Sequence, residues 1–166
     1  RGIGEMLAAG FLANGAKVII SSRKEKACEE TVERLKGEYG GEIYAIPSDV
    51  GQMVGIEHLA GEIAKREEKV DVLINNAGPM SGYVYGTSKA AVIHLTRFMG
   101  SQLAAENILV NGIAPGPFPT YMLSTGVGYK GETEGVDWDA IGSRSPSGRV
   151  GKPEDIAGLA MFLSSQ

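Results

Sequence analysis

Apolar and polar positions along the chain follow two periods, one typical of helices and the other of buried strands. Between residues 2 and 14 the large apolar side chains recur at helical spacing: Ile3, Met6, Leu7 and Phe11. Gly15 then provides a helix stop signal. Residues 17–21 (KVIIS) form a short β-branched run, which is typical of a strand covered on both faces. The chain therefore predicts a helix followed by a strand of a parallel sheet.

The same alternation continues along the chain. Further helices are predicted near residues 25–38, 54–66 and 85–106, with a last one opening near Pro153, and further strands at 42–46, 70–75 and 109–113. Strands separated by helix-length crossovers predict right-handed βαβ units, and hence an α/β fold with a doubly wound parallel sheet of the Rossmann type. No period is sustained from Pro115 to Arg149, which predicts a long loop with a short helical piece. No linker divides the chain, so we expect residues 1–166 to form a single domain.

Composition and charge narrow the range of partners. The chain is 43% apolar and 22% charged, with a net charge of -4, so it carries no electrostatic footprint for nucleic acid or an anionic membrane. The single cysteine, Cys28, cannot form an internal disulfide, and we assign it no role. No apolar run approaches the roughly 20 residues of a membrane span. We expect a protein of the cytoplasm or of an organelle matrix, with a small-molecule ligand, no nucleic acid and no membrane.

The opening RGIG lies directly at the start of the first predicted helix. Gly2 and Gly4 would let backbone amides approach a pyrophosphate, because the N–H groups and the dipole at a helix N-terminus favour anions. Two glycines at a helix start also occur for backbone geometry alone. By itself this motif is a weak signal.

The residues after the first predicted strand indicate which dinucleotide would bind. An acidic residue there would bind a ribose 2′-hydroxyl, whereas Ser22 and Arg23 suit a 2′-phosphate by charge and by forked donors. NADP(H) is therefore favoured over NAD. The alternative is that Arg23 only solvates the start of a helix.

Two further strand ends carry candidate binding residues. Asp49 and Val50 follow the next strand, where adenine recognition is expected, although an aspartate before a helix also serves as a helix cap. Asn75, Asn76, Ala77 and Gly78 end an apolar strand and either line the same crevice or form only a turn.

Tyr85 and Lys89 are four residues apart on the long predicted helix, so they share one face. A nearby ammonium stabilises a phenolate, and a tyrosine beside a lysine can donate or accept a proton near neutral pH. As an isolated pair, a solvated tyrosine and lysine would be the simpler interpretation.

The motifs together resemble the short-chain dehydrogenase/reductase family. RGIG, SSR, DV, NNAG, YGTSK and NGIAPGPFPT occur in the family's order, and YGTSKAA and APGPFP are most similar to its 3-oxoacyl-carrier-protein reductase types. The resemblance implies Tyr85 as catalytic acid/base and Lys89 as its partner and a nicotinamide-ribose ligand. It also implies a cofactor-binding set: Arg1, Gly2, Ile3, Gly4, Ser22, Arg23, Asp49, Val50, Asn75, Ala77, Gly78, Tyr85, Lys89, Pro115, Gly116 and Thr120.

The resemblance implies hydride transfer between NADP(H) and a small-molecule carbonyl or alcohol, with no metal. It also implies a homo-oligomer, either a dimer or a tetramer. Two other functions stay open. One is a non-catalytic nucleotide-binding or partner-binding member of the fold, and the other is an NAD-linked alcohol dehydrogenase.

The sequence departs from the family pattern in three places. The first strand and the start of the phosphate loop are absent, and so is the final strand. Only four residues, 79–82, separate Gly78 from Tyr83, where the fold needs a crossover of a dozen or more. Ser81 is too close to Tyr85 to be assigned as the catalytic serine. Either the sequence joins segments of a longer protein, in which case abnormal Cα spacing is expected near Pro79 to Tyr83, or it carries a deletion.

Overall fold

The computed structural model describes residues 2–76, 82–126 and 133–165, without the side chains at 82–84 and 126. Several sequence predictions lie outside the described residues: those on Arg1, Ala77, Gly78 and Ser81, and the abnormal spacing expected near Pro79 to Tyr83. The chain falls into two compact units, Arg1–Ala77 and Gly78–Gln166.

The first unit contains one complete βαβ arrangement. Its elements are α1 (Ile3–Ala13), β1 (Val18–Ile20), α2 (Glu25–Tyr39), β2 (Ile43–Ala45) and α3 (Met53–Ala64). The two strands are parallel, with Val18 opposite Ile43 and Ile20 opposite Ala45. These helices and strands confirm the sequence predictions to within a few residues at each end.

The core of the first unit lies between its helices and its strands. Ala8 and Leu12 of α1, Leu35 of α2 and Ile43 of β2 form one buried cluster. Ala8 and Leu12 are four residues apart and so share a helix face. Burying a Leu or Ile side chain contributes roughly 1.5–3 kcal/mol, so this cluster fixes both helices against the sheet.

The strand predicted at 70–75 is not formed. This segment is extended but unpaired within the described residues, and Leu73 is 76% exposed. In a doubly wound sheet of order 3-2-1-4-5-6, this segment would be the fourth strand and would lie between the first and the fifth. The described part of the chain contains neither neighbour, since its sheet consists of β1 and β2, so the segment has no strand to pair with there.

The second unit is helical in its described part. Its elements are α4 (Gly82–Leu103), a 3-10 turn (Ala104–Glu106), α5 (Tyr121–Gly126), α6 (Trp138–Gly142) and α7 (Pro153–Ser164). The long helix and the last helix were predicted from the sequence. The loop predicted from Pro115 to Arg149 contains two short helices, α5 and α6, among its described residues, rather than one helical piece.

The strand predicted at 109–113 is also not formed. The segment still packs along α4, since a Cβ on Gly112 would lie 3.4 Å from Thr96, and one on Gly100 would lie 3.4 Å from the Val110 carbonyl oxygen. As the sixth strand of a doubly wound sheet, it would pair with the fifth, for which the sequence has no residues. Residues 109–113 therefore pack against α4 but pair with no strand among the described residues.

Candidate active site

The first turn of α1 has the geometry of an anion-binding helix start. Gly2 has φ 73° and ψ -155°, a conformation that favours glycine, and its carbonyl oxygen accepts hydrogen bonds from the N–H groups of Glu5 and Met6 at 3.1 and 3.2 Å. The N–H groups of Ile3 and Gly4 come before these bonds, and the first N–H groups of a helix have no carbonyl partner within it. They are therefore suited to a phosphate at this position.

Gly4 allows the end of the 70–76 segment to approach the first turn of α1. A Cβ on Gly4 would lie 2.8 Å from the Asn76 side-chain nitrogen, so the Asn76 amide rests against the helix start. Ile3 lies in the same turn, and Asn75 is exposed beside Asn76. The structure thus brings together two predicted binding segments that are about 70 residues apart in sequence.

Two further candidate binding residues, Arg23 and Asp49, follow the carboxyl ends of β1 and β2 and so lie at the same edge of the sheet. Pairing continues beyond the strands, because the Ser48 N–H donates to the Ser22 carbonyl oxygen at 3.0 Å. Arg23 and Asp49, each one residue further on, are exposed at this edge, and so is Val50. Open α/β sheets bind ligands at the carboxyl ends of their strands.

Cys28 contacts Ser22, which is predicted to bind the 2′-phosphate. The sequence did not reveal this contact. Its buried sulfur lies 3.0 Å from Ser22 Oγ, and that oxygen also accepts a 3.4 Å hydrogen bond from the Lys24 N–H. The one available signal was the position of a small apolar side chain in the first turn of the helix that follows Ser22.

Asp49 organises a turn and does not cap α3. Its Oδ1 accepts from the Gly51 N–H at 3.1 Å, and its carbonyl oxygen accepts from the Gln52 N–H at 3.0 Å. Gln52, not Asp49, is the N-cap residue of α3. A Cβ on Gly55 would collide with the Asp49 carbonyl group. The position of Asp49 therefore depends on a glycine at 55.

Gly55→Ala is expected to lower the free energy of unfolding by about 1–3 kcal/mol, because the added methyl group has to displace the Asp49 backbone. Gly61→Ala is the matched control, since Gly61 lies on the same helix with nothing within 4 Å of its ideal Cβ. The control should be neutral or stabilising, because alanine favours a helix over glycine by about 1 kcal/mol. Urea denaturation would compare them, and equal effects would contradict the close contact.

Tyr85 and Lys89 lie on one face of α4, as predicted. Lys89 Nζ is 5.6 Å from the centroid of the Tyr85 ring, within the range of a cation–π contact. Both residues are partly exposed. Ser88 Oγ donates to the Tyr85 carbonyl oxygen at 2.8 Å, which uses the Ser88 hydroxyl within the helix. The pair is accessible to a ligand and carries a proton donor beside a cation.

The loop that follows 109–113 carries the last three candidates. Pro115 and Gly116 are exposed, whereas Thr120 is half-buried and directly precedes α5. Thr120 Oγ1 accepts from the Leu123 N–H at 3.2 Å, and the Thr120 carbonyl oxygen accepts from the Ser124 N–H at 2.9 Å. Thr120 therefore fixes the start of α5, with Ser124 fully buried behind it.

Each unit thus holds part of the predicted site. The first unit contains the residues predicted for the pyrophosphate, the 2′-phosphate and adenine. The second contains the proton-transfer pair and the residues predicted for the nicotinamide end. Across the described ranges, no helix has the length and apolar character needed to cross a membrane. No cluster of three or more His, Cys, Asp or Glu side chains suited to a metal ion occurs in the same ranges.

Family models match both parts of the chain. Residues 1–83 match the model described as short chain dehydrogenase, and residues 78–166 match the one described as Enoyl-(Acyl carrier protein) reductase. The chain belongs to the short-chain dehydrogenase/reductase family. The relatives that it matches in this family are oxidoreductases. The two matches meet at residues 78–83, where the sequence leaves no room for a crossover.

Curated relatives align with nearly the whole chain. The rhamnolipids biosynthesis 3-oxoacyl-[acyl-carrier-protein] reductase of Pseudomonas aeruginosa is 30% identical over 225 residues, covering 99% of this chain and 85% of the relative. The 5-keto-D-gluconate 5-reductase of Escherichia coli is 30% identical, covering 100% of this chain and 85% of the relative. Since the first alignment spans 225 residues and the chain has 166, at least 59 aligned positions lie opposite gaps in this chain.

Solved structures of the family confirm the fold class. The RhlG/NADP active-site complex of Pseudomonas aeruginosa has a TM-score of 0.85 at 29% identity, covering 99% of this chain and 85% of that chain. A hydroxysteroid dehydrogenase of Escherichia coli has a TM-score of 0.80 at 28% identity, covering 99% and 84%. The chain therefore has a Rossmann-like α/β fold that lacks several segments of the complete doubly wound sheet.

Proposed function

We propose that this chain carries the cofactor-binding and catalytic residues of an NADP(H)-dependent reductase. Its substrate is a small-molecule carbonyl of the 3-oxoacyl type or similar, which is reduced to an alcohol. The observation that carries the proposal is the Tyr85–Lys89 pair on one partly exposed face of α4, with the ammonium 5.6 Å from the ring centroid. Residues 1–166 would belong to one dinucleotide-binding domain of a homo-oligomeric protein of the cytoplasm or of an organelle matrix.

The first turn of α1 fits the pyrophosphate of a dinucleotide. Gly2 has a positive φ, which favours glycine. Asn76 lies so close to Gly4 that position 4 has no room for a side chain. Backbone N–H groups can therefore come near phosphate oxygens at this helix start. Arg1, Ile3, Asn75, Ala77 and Gly78 complete this part of the proposed binding set.

The carboxyl edge of β1 and β2 fits the adenosine 2′-phosphate. Ser22 and Arg23 offer a hydroxyl and a forked cation, and residues 21–24 include no carboxylate that would repel a phosphate. Asp49 and Val50 lie across the same edge and would receive the adenine ring. RhlG of Pseudomonas aeruginosa was solved as a complex with NADP, which supports this choice of cofactor.

In the proposed reaction, Tyr85 and Lys89 move the proton. When bound, NADPH supplies the hydride to the carbonyl carbon. The Tyr85 hydroxyl gives its proton to the carbonyl oxygen, and the Lys89 ammonium stabilises the phenolate that remains. Pro115, Gly116 and Thr120 would hold the nicotinamide end, while Lys89 would also bind its ribose.

Arg23→Asp tests the cofactor assignment. A charged hydrogen bond to the 2′-phosphate is worth about 1.5–3 kcal/mol, so the Kd for NADPH in the full-length protein should rise about 10- to 150-fold. Binding of NADH should be unchanged or tighter, because the new carboxylate suits a ribose 2′-hydroxyl. Both constants can be measured by cofactor fluorescence.

Arg97→Asp, an exposed change of the same charge on α4, is the matched control and should leave the NADPH-to-NADH ratio unchanged. Equal affinity of the unaltered protein for both cofactors would favour the NAD-linked alternative. Tight NADPH binding without reduction of any carbonyl would favour the non-catalytic one.

A further inference from the structure

An ion pair fixes the turn that leads into α7. The Arg149 guanidinium donates through Nη1 and Nη2 to the two carboxylate oxygens of Asp155, at 2.6 and 3.0 Å. The same carboxylate accepts from the Lys152 N–H at 2.8 Å, and Arg149 Nη1 also donates to the Val150 carbonyl oxygen at 3.0 Å. Charged, bidentate hydrogen bonds of this kind are geometrically specific, so they hold residues 149–155 in one conformation.

The effect of this ion pair is local. Its side chains are 50% and 40% exposed, and ion pairs at such positions contribute little to the free energy of unfolding. The Arg149 guanidinium, followed by the Lys152 N–H, holds the pKa of Asp155 well below its usual range, so the carboxylate is charged at neutral pH. The pair therefore shapes the turn without holding the whole fold together.

The turn contacts the loop that contains Pro115 and Gly116. The Gly151 N–H donates to the Pro117 carbonyl oxygen at 2.8 Å. The Phe118 ring, only 7% exposed, lies directly against Gly151, and a Cβ there would be 2.5 and 2.6 Å from ring atoms Cε2 and Cε1. Residues 117 and 118 are thus held by the turn, immediately next to the predicted nicotinamide-binding residues.

We propose that Arg149 and Asp155 are positioning residues that hold the 115–118 loop in the conformation that binds the nicotinamide end of the cofactor. They act through Gly151 and Phe118 and do not touch the cofactor. The proposal rests on the proposed function, which assigns this loop to the nicotinamide end and Ser22 with Arg23 to the adenosine end. Loss of the ion pair should therefore weaken binding at one end only.

The test compares NADPH with adenosine 2′,5′-bisphosphate, which contains only the adenosine end. In the full-length protein, Arg149→Ala and Asp155→Ala should each raise the Kd for NADPH about three- to tenfold. The Kd for the bisphosphate should stay the same. The double variant should lose little more than either single variant, because both remove the same interaction. Arg144→Ala, an exposed arginine five residues earlier, is the control for charge.

Glycine variants provide a second, independent arm. Gly151→Ala should weaken NADPH binding in the same selective way, because its methyl group displaces the Phe118 ring. Gly158→Ala on α7 is the matched control, since nothing lies within 4 Å of its ideal Cβ. If a variant is too unstable to titrate, Arg149→Lys keeps the charge without the bidentate geometry and should show a smaller selective loss.

Two results would overturn the inference. In one, the Arg149 and Asp155 variants bind NADPH as tightly as the unaltered protein. In the other, they lose both ligands equally, which would show a general structural role. If the unaltered protein binds neither NADPH nor the bisphosphate, the proposed function itself fails, and this inference fails with it.

Discussion

Tyr85→Phe should abolish most carbonyl reduction while leaving NADPH binding intact. The substitution keeps the aromatic ring that packs near Lys89 but removes the hydroxyl that would protonate the substrate oxygen. Loss of a general acid costs about 10²- to 10⁴-fold in rate. Oxidation of NADPH by a 3-oxoacyl thioester, followed by absorbance, would measure it in the full-length protein.

Tyr39→Phe is the matched control for this variant. Tyr39 lies at the end of α2 and is 42% exposed, so the same chemical change there should leave the rate unchanged. A Tyr85→Phe protein that reduces the thioester at a near-normal rate would remove Tyr85 from the catalytic role. It would also favour a binding protein over an enzyme.

The helices could be predicted from sequence because their signals are local. Ile3, Met6, Leu7 and Phe11 follow a helical period that depends only on neighbouring residues, and all four lie in α1. Leu7 is buried as that period predicts, whereas Leu12, which was not part of it, belongs to the buried cluster. β1 and β2 were predicted from their composition, and they form as strands because each one has the other as a partner. Local pattern and tertiary context agree in the first unit.

The two wrong strand predictions have one physical cause. Residues 70–75 and 109–113 have the apolar, β-branched composition of buried strands, but a strand exists only when it is paired. In the usual order of a doubly wound sheet, both would lie beside the fifth strand, which the sequence lacks. The consequence is visible in the exposure of Leu73 and Leu109, at 76% and 69%. Composition shows that a segment is able to form a strand, but the strand forms only where a neighbouring strand is present to pair with it.

The candidate site shows the same difference between local features, which the sequence indicates, and long-range contacts, which it does not. Gly2, Arg23 and Tyr85 could be chosen as candidates from the sequence because their motifs lie at helix starts and strand ends, which are local features. Contacts between distant residues left no readable pattern. The Asn76 amide against Gly4 and the Gly151 hydrogen bond to Pro117 join segments far apart in sequence, and only the structure reveals them.

Lys89→Ala should damage both turnover and cofactor affinity in the full-length protein, which distinguishes it from Tyr85→Phe. The variant removes the cation that lies 5.6 Å from the Tyr85 ring centroid and that would stabilise the phenolate left after proton transfer. It also removes the proposed hydrogen bond to the nicotinamide ribose. We expect kcat to fall by at least the roughly 10²-fold of impaired acid catalysis, and the Kd for NADPH to rise about tenfold.

The decisive measurement is how the effect of Lys89→Ala divides between kcat and the Kd for NADPH. A loss in kcat with unchanged NADPH affinity would assign Lys89 to proton transfer alone, whereas the reverse would assign it to ribose binding alone. Arg97→Ala, two helical turns further along α4, controls for the loss of a cation from this helix and should change neither constant. Lys89→Arg keeps the charge but not the compact ammonium, so it should recover part of the affinity and less of the rate. If Lys89→Ala matched the unaltered protein in both kcat and Kd, Lys89 would be an ordinary surface residue of α4, and the pair that carries the proposed function would be refuted.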